Sequence, residues 1–325
     1  MIVDLETHVW SSPTDLGLNP SELSGRGDLA PWHSFDASAQ AHQQAMGCVD
    51  VAIVLGFRSR LLDARISAET VASFVSKAPT RRLGFVGIDP MEGDAIAAID
   101  HAVNLGLVGV TVSPAAQSFH PLHSRAMRMY ERCEELGLPV LVTENHLFAP
   151  AAALDHARPT PFDEVARAFP KLKLVLGRLG FPWIDETLVL AMKHRNIYTD
   201  LSGVIARPWR LYNALLAAFE LGVTDKILFA SNFPQETPEA AIERIYSLNS
   251  YSHGTNLPAI PRQQLRSIVE RDSLNCLGLA RPGVTGQGLD RDAAWSGDAE
   301  RGERDSSLVN TLTELMSGGD AGDEE

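Results

Sequence analysis

Residues 125–145 read RAMRMYERCEELGLPVLVTEN, and the order of residue types in that stretch decides the architecture. Met129, Cys133 and Leu136 recur at helical spacing against Arg128, Glu131, Arg132 and Glu135, which predicts an amphipathic helix over Arg125 to Leu136. Gly137 stops it, because glycine takes the left-handed turn that closes a helix at no steric cost. Pro139 then opens a short apolar run to Val142, the composition of a buried strand.

The same alternation recurs on both sides. Ile2 to Leu5, Val49 to Leu55, Leu83 to Ile88, Leu107 to Val112, Leu172 to Leu176, Ile197 to Leu201 and Ile227 to Ala230 complete a set of eight runs, each followed by an amphipathic stretch. The fold class that follows is α/β, a (β/α)8 TIM barrel over residues 1–280. Function in such a barrel sits at the C-terminal strand ends, so those positions are where chemistry is sought. The loop after the first run, Ser11 to Asp36, carries Trp32 and His33 and is long enough to read as a lid or a subunit contact.

Residues 281–325 have a different character. They hold four Arg against eleven Asp plus Glu among many Gly and Ser, which predicts an acidic, mostly disordered C-terminal tail. Inside it Leu308, Leu312, Leu315 and Met316 share one face of a short helix expected over 306–317, suited to docking a protein partner or to no role at all. The whole chain carries a formal charge of −13, with 28 Lys plus Arg against 41 Asp plus Glu, which argues against nucleic-acid binding. Cys48, Cys133 and Cys276 are widely spaced without a CxxC pair, so neither a disulfide framework nor a structural zinc site is expected. With an acidic start and no apolar stretch of bilayer length, the expectation is a cytoplasmic protein that does not engage a membrane. Phosphate-cradling glycine motifs and a GxSxG nucleophile elbow are absent.

The strand ends carry a resemblance. VDLETHVW at the first strand, GVTVSPAAQSFHP after the fourth, YERCEELGLPVLVTEN at the fifth, LVLGRLGFPW at the sixth, NIYTDLSG at the seventh and KILFASNFP at the eighth resemble, in that order and spacing, the amidohydrolase-related proteins of the ACMS-decarboxylase-like branch. The resemblance covers essentially residues 1–280. It implies a metal-dependent hydrolase or decarboxylase with ligands from a His-x-His or Glu-x-His pair on the first strand, a His on the fifth, in some members a His on the sixth, and an Asp on the eighth. Dimers are common among such relatives, so a homo-oligomer is expected.

Glu6 and His8 match the first pair, since alternate residues of a strand face the same side while Thr7 points away. The other positions depart from the pattern. Thr143, Glu144 and Asn145 stand where the resemblance implies His-Thr-Gly, Arg178 where it implies the sixth-strand His, and Asn232 where it implies the eighth-strand Asp. An amide does not take up a proton near neutral pH, and a permanent cation repels a metal rather than binding it. No cofactor is therefore expected, the alternative being one zinc or manganese ion held by Glu6 and His8 with replacement ligands such as Glu144 or His146.

The charges suggest that Arg178 stands in for the missing cation by pairing with Glu6. The same guanidinium could instead clamp the carboxylate of a small ligand. His8, Glu6 and Arg178 are the expected catalytic residues, and Arg178, Glu144, Asn232 and Thr143 the expected ligand contacts. His120, His123 and His146 lie on mouth loops, where a lone His is as readily solvated as bound to ligand. Asp200 is expected to be structural. Two functions stay open: a catalytically altered or inactive family member that binds a small carboxylated molecule or a protein partner, and an active hydrolase or decarboxylase, metal-free or with a rebuilt site.

Overall fold

The computed structural model of the chain describes residues 1–17, 34–79, 81–144 and 149–282. All eight expected runs form strands of one parallel sheet: β1 (Val3–His8), β2 (Val51–Leu55), β3 (Arg82–Gly87), β4 (Gly109–Val112), β5 (Val140–Val142), β6 (Leu174–Leu176), β7 (Ile197–Asp200) and β8 (Ile227–Leu228). Each pairs with its sequence neighbour, and hydrogen bonds from Leu5 N–H to the Phe229 carbonyl (3.1 Å) and from His8 N–H to the Phe233 carbonyl (3.0 Å) join the last strand to the first. The result is the closed (β/α)8 barrel that the alternation predicted.

The interior is filled by Val3, Leu5, Ile53, Phe85, Leu141, Val175 and Leu228, which meet in one apolar cluster. A second layer packs between strands and helices, and the helix Ser124–Leu136 shows how the sequence builds it. Met129 and Cys133 are fully buried, His123 caps the first turn, and Gly137 ends the helix at φ 66°. Its start is one residue earlier than the periodicity predicts, because the His123 ring, rather than Ser124, accepts the Arg125 N–H.

Two features lie beyond the sequence reading. A hairpin of strands Phe57–Ser59 and Ala64–Ile66 follows β2, with Phe57, Ala64 and Ile66 buried; three-residue strands interrupted by Arg58 and Arg65 carry too little periodicity to be recognised. β1 runs three residues past the expected Leu5 and changes register against β2 between Asp4 and Thr7. That irregularity lets Leu5 fill the interior while Glu6 and His8 face the mouth, which strict alternation from Leu5 would not allow.

The expected tail from 281 onward falls outside the described residues except for Arg281, which pairs with Asp272 at 2.6 Å, and Pro282. The helix expected at 306–317, Trp32, His33, Asn145 and His146 also lie outside them. Among the described residues no helix is long and apolar enough to cross a membrane.

Candidate active site

Five strand ends, counting its own, converge on Glu6. From β1 itself, His8 Nε2 lies 3.3 Å from Glu6 Oε1. From the end of β5, the Thr143 hydroxyl donates to the same oxygen at 2.8 Å. From β8, Asn232 N–H donates to the Glu6 backbone carbonyl at 3.1 Å. From β6 and β7 come Arg178 and Asp200, whose charges act on Glu6 and on one another. Thr7 points the other way: its hydroxyl donates to the Ile53 carbonyl at 2.8 Å, so it accepts from His42 Nε2 at 3.0 Å. Burial against Phe74 and Phe233 drives the His42 pKa down to about 3, which keeps that ring neutral and structural.

Arg178 sits in an unusual turn. Arg178, Leu179 and Gly180 are all left-handed, at φ 59°, 53° and 63°. Each non-glycine residue held so costs on the order of 1 kcal/mol, and the turn persists because tertiary contacts impose it. The Arg178 N–H donates to Asp200 Oδ1 at 3.0 Å, and its guanidinium lies flat over Gly203, at φ 64°, so closely that a β-carbon there would stand 2.5 Å from Cζ. The side chain is 3% exposed. Burial pushes its pKa below the ordinary guanidinium value against the opposing pull of Glu6, Asp200 and Glu144, but a guanidinium keeps its proton in a protein.

Its acidic neighbours divide into two kinds. Burial raises Glu6, but hydrogen bonds and charge from His8, with Thr143 and Ser202, outweigh it and hold the carboxyl below its usual value, ionised at neutral pH. Burial dominates at Asp200 and Glu144 and pushes both up to about 7. Glu144 accepts from the Ser113 hydroxyl at 2.9 Å and the Ala115 N–H at 3.4 Å. Asp200 accepts from Ser202 N–H at 2.8 Å through Oδ1, while Oδ2 is buried without a hydrogen bond. The Ser202 hydroxyl makes no well-formed hydrogen bond either, yet its closeness lowers both Glu6 and Asp200. One permanent cation, one ionised carboxylate and two carboxyls poised near neutrality thus share a dry mouth.

A family model described as amidohydrolase matches residues 3–270. The chain belongs to the amidohydrolase family. Solved structures of similar fold include an uncharacterised TIM-barrel protein from Bordetella bronchiseptica, 18% identical over 85% of this chain and 98% of that one, with a TM-score of 0.63. A 5-carboxyvanillate decarboxylase from Sphingomonas paucimobilis is 15% identical over 86% of this chain and 99% of its own, with a TM-score of 0.60. A probable 2-pyrone-4,6-dicarboxylic acid hydrolase from Acinetobacter baumannii, with citric acid bound, is 14% identical over 86% and 99%, with a TM-score of 0.57. No curated protein sequence matches the chain.

In this family member the structure brings Glu6, His8, Thr143 and Arg178 together and sets Glu144, held by Ser113, within electrostatic reach of Arg178. Asn232 keeps its backbone on Glu6 but turns its amide nitrogen to Gln235 Oε1 at 2.8 Å, with Oδ1 buried and unbonded; its φ is 65°, a conformation Asn tolerates better than most residues. His123 caps a helix, and His120 accepts Leu122 N–H at 3.2 Å and meets His156 edge-on at 6.1 Å. Among the described residues no three His, Cys, Asp or Glu side chains are grouped as metal ligands would be. Asp200, read from sequence as structural, does hold the Arg178 turn, but it also belongs to the mouth. An acid as the last residue of a barrel strand, opening an Asp-Leu-Ser-Gly turn, was the available signal.

The buried acids predict how stability depends on pH. Asp4, raised by burial to about 7 where Ser231 N–H and hydroxyl hold it at 2.9 and 2.6 Å, joins Asp200 and Glu144. Each folded-state pKa lies above its unfolded value, so the stabilisation is complete below about pH 4 and is lost as pH rises through 7. His42 and His156 oppose them, because their depressed pKa values favour the folded state as pH rises through 6.5. Three against two still leaves a net loss between pH 5 and 7.5, at up to about 1.4 kcal/mol per pH unit for each uncompensated proton. Urea midpoints across this range are expected to fall with rising pH, and Asp200→Asn to flatten the slope; an unchanged slope in that variant would remove Asp200 from the set.

Proposed function

We propose that this family member works without a metal and binds a small carboxylated molecule at the barrel mouth, with Arg178 in place of the ion. The observation that carries this reading is the burial of Arg178 against Gly203 amid Glu6, Asp200 and Glu144. The divalent ion implied by the resemblance does not fit the described residues. A buried guanidinium already supplies the positive charge in the mouth, and Glu6 Oε1 is engaged by His8 and by a hydroxyl that donates rather than ligates. A charged fork suits a ligand carboxylate, and two carboxyls titrating near 7 can stay protonated as hydrogen-bond donors beside it. Two of the similar proteins are named for carboxylated molecules, 5-carboxyvanillate and 2-pyrone-4,6-dicarboxylic acid, which supports the choice of probes.

The test is calorimetric titration of chelator-treated protein with citrate, 5-carboxyvanillate and 2-pyrone-4,6-dicarboxylate, paired with metal content by plasma mass spectrometry. At least one probe is expected to bind without added zinc or manganese, and Arg178→Lys to weaken it about tenfold or more through loss of the fork. Stoichiometric metal in the purified protein, or binding that appears only with zinc, overturns the reading.

One observation favours a catalytic version. His8 Nε2 contacts Glu6 beside a buried cation, the arrangement of a general acid–base oriented by a carboxylate next to an oxyanion stabiliser. Turnover of a bound carboxylate, abolished in His8→Ala, is its expected result; unchanged turnover in that variant removes His8 from the role.

A further inference from the structure

A cleft of about 630 Å3 opens at the rim of the barrel, lined by residues none of which belongs to the cluster around Arg178. The turn of the hairpin after β2 contributes Arg60 and Leu61, the segment after β3 contributes Met91, and the segment after β4 contributes Gln117, His123 and Arg125. Its floor is rigid. Gln117 is 3% exposed, accepts the Ser113 N–H at 2.7 Å, and donates to the carbonyls of Arg58 and Ile88 at 2.5 and 2.7 Å.

Apart from the Ser118 hydroxyl, which donates or accepts, the polar side chains left to meet a ligand are donors. The Arg60 side chain enters no hydrogen bond or ion pair among the described residues, only its backbone being tied to Asp89 at 3.0 Å. Arg125 spends one amino group on the Met91 carbonyl at 2.6 Å and keeps the rest of its fork uncommitted. His123 accepts the Arg125 N–H through Nδ1 at 3.2 Å, so its neutral ring carries the proton on Nε2 as a further donor. Among the described residues no carboxylate lines the cleft. Asp89 is committed to the backbone of Arg60 and Met91, and Glu92 to Arg58. In a chain of formal charge −13, two guanidiniums gathered around one cleft without an acid among them are a local reversal of the protein's charge.

We propose that this rim cleft is a second ligand site, for a small organic dianion. Arg60 and Arg125 take its two oxyanion charges, His123 adds a hydrogen bond, and Leu61, 42% exposed, with half-buried Met91 offers an apolar wall to a flat ligand body. Guanidinium forks serve carboxylate and phosphate alike, so the class defined is a dianion on a short apolar frame.

The test is calorimetric titration of the full chain with phthalate and, separately, phenyl phosphate. Saturable one-site binding of at least one probe is expected, weakened about tenfold or more in Arg60→Gln and further in Arg60→Gln/Arg125→Gln, as loss of charge-assisted hydrogen bonds requires. Phthalate alone would assign a dicarboxylate site and phenyl phosphate alone a phosphate site. Arg60 is solvent-exposed, so its substitution leaves folding intact, and circular dichroism of the variant verifies this. Undiminished affinity in the double variant places the probe elsewhere and overturns the proposal, as does no binding by either probe at about 10 mM, below the weakest specific range.

Discussion

Arg178→Met is expected to lower the unfolding free energy by about 3–5 kcal/mol at neutral pH, the usual consequence of removing one partner from a buried group of charges. Methionine fills much of the same volume, so the loss is electrostatic rather than a cavity effect. Glu6 stays ionised in a dry mouth, with His8, Thr143 and Ser202 as its remaining support. Asp200 and Glu144, titrating near 7 with the guanidinium present, lose the charge that holds them down and move further up. The deficit therefore widens with pH, because at pH 8 the wild type draws on Arg178 to hold ionised carboxylates and at pH 5.5 two of the three are already neutral. Urea denaturation at both values reads it directly. Arg178→Lys keeps the charge without the fork and should recover part of the loss. A deficit below about 1 kcal/mol at both pH values, the worth of an exposed ion pair, would mean that Arg178 does not balance the mouth.

The barrel was legible because its signals are local and repeated. A helix such as Ser124–Leu136 needs only the spacing of Met129 and Cys133 and a closing Gly137, and eight apolar runs at regular intervals leave little choice of topology. The site was legible in part. Glu6, His8 and Arg178 stand out by residue type at strand ends, and the prediction that Thr7 points away holds. What the sequence could not display is the register irregularity that frees Glu6 from the alternation set by Val3 and Leu5, since a shift of one residue in pairing is decided by β2 and β8 rather than by β1 alone. Nor could it show that Ser113, thirty-one positions away, anchors Glu144 at the rim of the mouth, or that three consecutive residues at 178–180 turn left-handed. Arg178-Leu179 carries no composition cue for positive φ; the conformation is imposed by the Asp200 carboxylate and by the open face of Gly203.

That open face is itself a prediction. Gly203→Ala is expected to cost about 3 kcal/mol, made of about 1 kcal/mol for a β-carbon in the left-handed region and the remainder for displacing the guanidinium. Gly222→Ala isolates the first part. Its φ of 68° matches the 64° of Gly203, but nothing stands within 4 Å of an added β-carbon there, so its cost is the backbone penalty alone. At Gly203 the β-carbon would come to 2.5 Å from Arg178 Cζ, and the arginine can yield only by leaving the carboxylates that surround it, since it is 3% exposed with no free solvent face to retreat to. The difference between the two glycines therefore measures how firmly the mouth holds its cation. Combining Gly203→Ala with Arg178→Met closes the cycle: with no guanidinium to displace, the alanine should cost no more than it does at 222, leaving a coupling of about 2 kcal/mol between positions 178 and 203. The same alanine in an otherwise wild-type chain should weaken any carboxylate bound at the mouth, while Gly222→Ala leaves it unchanged. Equal costs at the two glycines would mean that the guanidinium moves freely, and a side chain that moves freely could not take the place of a metal ion.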